Sequence, residues 1–158
     1  MTIPMPGGIF NLRVGAIICH QERVLLVQNA GFSHYYTVGG RVQFGEDART
    51  TLLREVAEET GVPLEIDRLA VIHENFFTMA SSGEKYHELC WFFLMKPDSR
   101  LDNMPRASFQ EAYGPVALHW VSLADLPGIK VYPSFLKTTL PPHPLHIITR
   151  DSQDTIAI

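Results

Sequence analysis

GGRVQFGEDARTTLLREVAEETGV, residues 39–62, governs the reading of this chain. Two glycines open it, and paired glycines mark a turn or a close approach between backbones. From Glu46 to Thr60 the pattern predicts a helix, with Leu52, Leu53 and Val56 gathered on one side. Gly61 stands where a left-handed C-cap belongs, and Pro63 follows it. Successive helix residues turn by about 100°, so Glu55, Glu58 and Glu59 share a face at i, i+3 and i+4. Like charges at that spacing repel by roughly 0.2–0.5 kcal/mol per pair. The cost is small enough for an ordinary solvated acidic face. The chemical alternative is a hard-cation site. Magnesium prefers oxygen ligands and keeps several waters, so a few carboxylates and substrate phosphates suffice.

The full pattern weighs against the bland reading. Gly40 is followed after five residues by Glu46, and after seven more by Arg54-Glu55-Val56. One residue later come Glu58-Glu59, and after one more Gly61-Val62. Leaving aside the two valines, seven fixed residues, each at a background of roughly 6%, give a chance match on the order of 10⁻⁹ per starting point. In this spacing the stretch resembles the Nudix box, and the chain resembles the Nudix hydrolase family.

That resemblance implies a magnesium-dependent hydrolase, with manganese able to substitute, cleaving a diphosphate linkage in a nucleoside diphosphate derivative. Glu58 and Glu59 look like metal ligands, and Glu55 like a further ligand or the base that activates water. The carbonyl of Gly39 looks like another metal contact. Arg54 looks like a support that holds a box glutamate by an ion pair, and Glu46 like an anchor for the loop. Glu111, in a long aperiodic stretch, is the candidate for a catalytic glutamate distant in sequence. Arg41 follows the glycine pair and suits a substrate phosphate. His73-Glu74 and His87-Glu88 read either as a second constellation lining the cleft or as polar faces of half-buried strands. Of Phe32, Tyr35, Tyr36 and Phe44 around the turn, one can stack on a base, while core packing is the simpler fate for each. Subfamily cues beyond the box, a proline or tyrosine in the region "FFTMA", are missing, so the substrate stays open. A non-catalytic ligand sensor on the same fold is the competing reading, and retention of every box glutamate argues against it.

Composition fits one globular domain. The chain has 158 residues, 46% hydrophobic and 19% charged, enough for a sizeable core. A net charge of −4 argues against a nucleic-acid coat, though not against a small anionic substrate. Cys19 and Cys90 lie in apolar, strand-like runs and read as two buried thiols, compatible with a reducing compartment. No secretory signal or membrane-spanning run is seen, so a cytoplasmic protein is expected. A homodimer is left open.

Around the box, "NLRVGAIICH" and "RVLLVQN" predict a hairpin across "HQE". "HYYTV" predicts a short strand stopped by Gly39 and Gly40. "EIDRLAVIHENFFTM", long enough to bend, and "KYHELCWFFLMKP" predict strands joined at "ASSGE". Residues 98–115 read as a loop, "VALHWV" as a strand and "SLADLP" as a turn capped by Ser122. "YPSFLKTTL" predicts a last helix near Pro133. The expected architecture is an α/β fold, an α/β/α sandwich with a mixed β-sheet in a single domain. Residues 1–9 read as an N-terminal extension, 10–140 as the domain and 141–158 as a loosely held tail.

Overall fold

A computed structural model describes the chain apart from residues 81, 104–107, 112–113, 141, 151–152 and 158, and apart from the side chains of 103, 108–111, 114 and 153–157. The strands are β1 (Thr2–Met5), β2 (Gly8–Ile17), β3 (Cys19–His20), β4 (Arg23–Asn29), β5 (Tyr35–Tyr36) and β6 (Val38–Arg41). Helix α1 (Ala48–Thr60) follows, then β7 (Ile66–Thr78), β8 (Lys85–Met95), β9 (Ser108–Glu111) and β10 (Gly114–Ser122). The chain closes with β11 (Val131–Tyr132), β12 (Leu145–Arg150) and β13 (Gln153–Ala157), with three short 3-10 turns interspersed.

Among the described residues two sheets form. One has seven strands in the order β1-β2-β8-β7-β12-β13, with β6 also on β2. It is mixed: β2 runs parallel to β8 and β12 parallel to β7, while β7 and β8 form an antiparallel hairpin. The other has six strands in the order β11-β5-β4-β10-β9, with β3 on β4. The chain crosses between them at Ile18. The predicted hairpin is therefore β3–β4, turned through Gln21 and Glu22 at φ 49° and 59°.

Each core lies on its own side of the strands. Helix α1 buries Ala48, Thr51, Leu52 and Val56, in a cluster with Val14, Ala16, Leu25, Val27 and Phe93. On the other side Ile17, Leu26, Val71, Cys90, Phe92, Phe135 and Leu136 pack together. Helix α1 forms one outer layer of the sandwich, and the 3-10 turn carrying Phe135 and Leu136 covers the other side.

The structure corrects several local expectations. Leu53 is exposed: one residue past Leu52 is a rotation of about 100° away from the core. The helix starts at Ala48, because Asp47 caps it by accepting the Thr50 N–H at 2.8 Å. "HYYTV" is split between the two sheets, and Gly39 and Gly40 continue β6 instead of stopping a strand. The strands approach closely there: a Cβ on Gly39, at φ +146°, falls 2.3 Å from the Val14 carbonyl oxygen. The 98–115 loop contains a 3-10 turn (Ser99–Asn103) and the strand β9. The helix expected near Pro133 is only a 3-10 turn, Ser134–Lys137. The final stretch is no loose tail, since β12 pairs in parallel with β7 over six residues. Of the two cysteines only Cys90 is fully buried, and Cys19 is half-buried. β7 carries register shifts between Ile66 and Arg68 and between Leu69 and Val71, the kind of irregularity at which a long strand bends.

Candidate active site on the glutamate helix

The site is built where β6 enters α1. Strand β6 places Val38 and Gly40 beside Ala16 and Val14 of β2. Arg41 leads into the loop, and Asp47 starts the helix. Gly61 closes α1 at φ 71°, its N–H donating to the Ala57 carbonyl at 3.0 Å.

Arg54 is the hub. Its Nε and Nη2 fork onto the two oxygens of Glu46, both at 3.1 Å. The Thr51 hydroxyl adds a bond to Glu46 Oε2 at 2.8 Å. Nη1 donates to Glu55 Oε1 at 2.9 Å and to Glu58 Oε2 at 3.2 Å. The Arg54 hydrogen bonds, and then Thr51, hold the Glu46 carboxyl below its ordinary range, and the same pairing raises Arg54. Bidentate guanidinium–carboxylate pairs add geometric definition to charge. Glu46 thus ties the loop to the second turn of the helix.

Gly40 makes room for Glu55. A Cβ there falls 2.3 Å from the Glu55 Cδ and Oε1 and 2.6 Å from Oε2. The Gly39 N–H faces Glu59 Oε1 at 3.4 Å. Glu59 therefore reaches the glycine edge, while Glu58 is 60% exposed and Glu55 17%. Three carboxylates, those of Glu46, Glu55 and Glu58, close on one guanidinium, and Glu59 stands at the Gly39 N–H; the −4 of these four glutamates and the +1 of Arg54 leave a formal charge of −3.

The donors suit a hard cation: all are carboxylate or carbonyl oxygens, in excess negative charge, beside a cradle that a Cβ at Gly40 would fill. Among the described residues, however, no three acidic, histidine or cysteine side chains converge as a metal-holding group. Glu55 and Glu58 are closed on Arg54 instead.

The remaining candidates separate. Glu111 ends β9, paired with Gly114, and its side chain lies outside the described residues. His73 is buried and meets the Thr149 hydroxyl at 2.7 Å, on the side of Phe135. Glu74 leaves the other face of β7 and meets His87 at 2.8 Å and His146 at 3.3 Å. Glu88 lies 3.5 Å from the Asn11 amide and 3.9 Å from Arg13. Each His-Glu pair is thus split across the sheet by strand alternation. Phe32 and Phe44 are exposed, Phe44 at 96%, so neither is core. Sequence reading missed Asp47 as the cap and Thr51 as a Glu46 partner, although an Asp before a helix is a legible signal. It also missed Arg13, which only strand register sets opposite Arg41.

Comparison with known proteins settles the family. A family model described as the NUDIX domain matches residues 10–141. The chain belongs to the NUDIX family. Membership makes it a hydrolase of phosphoanhydride bonds. The Bacillus halodurans MutT protein superposes on it with a TM-score of 0.65 at 17% identity, over 92% of this chain and 94% of that one. A MutT protein of Methanosarcina mazei Go1 gives 0.59 at 21% identity, over 81% and 88%. An ADP-ribose pyrophosphatase of Streptococcus suis 89-1591 gives 0.54 at 18%, over 88% and 98%. These likenesses show that this NUDIX chain shares their fold. No curated protein matches the sequence. Among the described residues no helix is long and apolar enough to cross a membrane.

Proposed function

We propose that this NUDIX domain is a magnesium-dependent diphosphatase cleaving a nucleoside diphosphate derivative, either a nucleoside triphosphate or a nucleotide-linked compound. The observation that carries the reading is that Glu55 and Glu59 lie against the Gly39–Gly40 edge, within a group of four glutamates and Arg54 whose formal charge is −3. Structural neighbours named MutT and ADP-ribose pyrophosphatase support it.

In this reading Glu58, Glu59 and the Gly39 carbonyl hold the ion, and manganese can replace magnesium. Held there, a divalent ion would supply neutralisation of phosphate charge and a lowered pKa for water. Glu55, fixed through Oε1 by Arg54, presents Oε2 to take the proton of the attacking water. Arg54 and Glu46 fix that carboxylate and the loop beneath it. Arg41 binds a substrate phosphate, and Glu111 supplies a further carboxylate from β9. With unpaired cysteines, a reducing cytoplasm is the proposed location.

The test is a panel of nucleoside triphosphates, nucleotide sugars, ADP-ribose and dinucleoside polyphosphates, assayed with magnesium and with chelator. Turnover that needs the metal supports the reading. A folded protein silent across the panel, with ligand binding indifferent to magnesium and to Glu58→Gln, favours the sensor alternative.

A further inference from the structure

Arg13 and Arg41 stand directly opposite each other on β2 and β6. Side chains so opposed leave a sheet on the same side, with Cβ atoms about 5 Å apart, and like charges there destabilise the pair. Val14 and Gly40, the next pair, face α1, because the missing Gly40 Cβ points into Glu55. Alternation therefore sends both guanidiniums to the face away from α1, round the sheet edge from the glutamates. Among the described residues Arg41 has no carboxylate partner. Arg13 has one acidic neighbour, Glu88, at 3.9 Å, beyond hydrogen-bond range. Glu88 is 18% exposed and also faces the Asn11 amide at 3.5 Å. Arg13, Arg41, Glu55 and Glu88 all act electrostatically on the Met1 amino group, which donates to the Leu12 carbonyl at 2.8 Å. The arginine pair thus stands on the same two strands whose glycine edge meets Glu55 and Glu59.

We propose that Arg13 and Arg41 form an anion subsite that receives a phosphate group of the substrate lying beyond the scissile link, with Glu88 as its built-in competitor. The inference rests on the diphosphatase reading and narrows its substrate class. Compounds whose far end carries phosphate charge fit, and diphosphates capped by a neutral sugar fit poorly. Two guanidiniums bind phosphate oxygens through paired N–H donors. An anion between them removes their mutual repulsion. Glu88 opposes it, attracting Arg13 and repelling the phosphate.

The test separates this subsite from the metal chemistry. Inorganic pyrophosphate is titrated calorimetrically into the full chain in chelator and low salt, with wild type, Arg13→Gln, Arg41→Gln, Arg13→Lys and Glu88→Gln. Wild type is expected to bind, and each glutamine at an arginine to weaken binding roughly three- to five-fold, as for exposed ion pairs. Arg13→Lys recovers part of the loss. Glu88→Gln tightens binding about three-fold, a sign that simple damage to the fold does not produce. Added salt weakens binding in wild type. In magnesium, Arg13→Gln raises KM for a triphosphate substrate more than for a nucleotide sugar, with kcat held. No pyrophosphate binding by wild type, or binding indifferent to all the variants, overturns the subsite. Variant-sensitive binding by a protein that hydrolyses nothing in magnesium sinks the diphosphatase reading and leaves the anion site standing.

Discussion

Gly40→Ala probes the cradle under Glu55 most directly. The added Cβ falls 2.3 Å from the Glu55 carboxylate, whereas ordinary contact begins at 3.4 Å. The carboxylate must therefore retreat by 3.4 − 2.3, or 1.1 Å. The obstructing atoms are the far end of a side chain, so the fold can absorb the change by moving Glu55 alone. That movement disturbs its 2.9 Å bond to Arg54. A misplacement of about 1 Å at a catalytic group costs on the order of 10²-fold in rate. Gly39→Ala is the control with the opposite signature. Its Cβ meets the Val14 carbonyl oxygen at 2.3 Å and its φ is +146°, so the strand itself must yield. A penalty of roughly 1–3 kcal/mol in stability follows from such backbone strain. Thermal melting and steady-state hydrolysis in magnesium, run on both variants, separate the two effects. Gly40→Ala with wild-type kcat refutes the placement of Glu55 in the chemistry. Gly40→Ala that unfolds like Gly39→Ala refutes the packing argument.

Glu58→Gln and Glu59→Gln are each expected to cut turnover by at least about 10²-fold through lost charge stabilisation. Stability hardly changes for Glu58, whose exposed pairing with Arg54 is of a kind worth about 0.3–0.5 kcal/mol; single-turnover rates and melts check both. Arg54→Gln frees Glu46 from its fork. Because the folded Glu46 pKa lies below its ordinary value of 4.5, the pairing stabilises the fold above that pH and is lost as pH falls through the depressed value. The stability gap between Arg54→Gln and wild type should therefore shrink on acidification below about pH 4.5, and a gap constant from pH 7 to pH 3 contradicts it. Burial pushes the Cys90 thiol pKa strongly upward, so thiol reagents should modify Cys90 only after unfolding. Mass spectrometry showing rapid native labelling at Cys90 overturns that expectation.

The helix and the grouping of its glutamates were legible in the sequence because they depend on local spacing. Glu55, Glu58 and Glu59 share a face by helical rotation alone, and Gly61 ends the helix by its own conformational freedom. The hairpin β7–β8 followed from two β-rich runs around a turn. What failed depended on partners far along the chain. No local rule sets β12 beside β7 in parallel, since its pairing energy comes from a strand more than seventy residues earlier, with Leu145 opposite Val71. The glycine pair read as a stop is a strand interior, where the backbone of Val14 and Gly15 excludes a side chain at Gly39 and the Glu55 carboxylate excludes one at Gly40. Whether Leu53 or Leu52 faces the core was a matter of phase that packing decided. The carboxylates themselves were foreseeable, but their closure on Arg54 was not, and neither was the juxtaposition of Arg13 with Arg41. Sequence determined which groups exist and which share a helix face. Tertiary structure decided which charges meet, because register and sheet edge bring together residues that chain spacing holds apart.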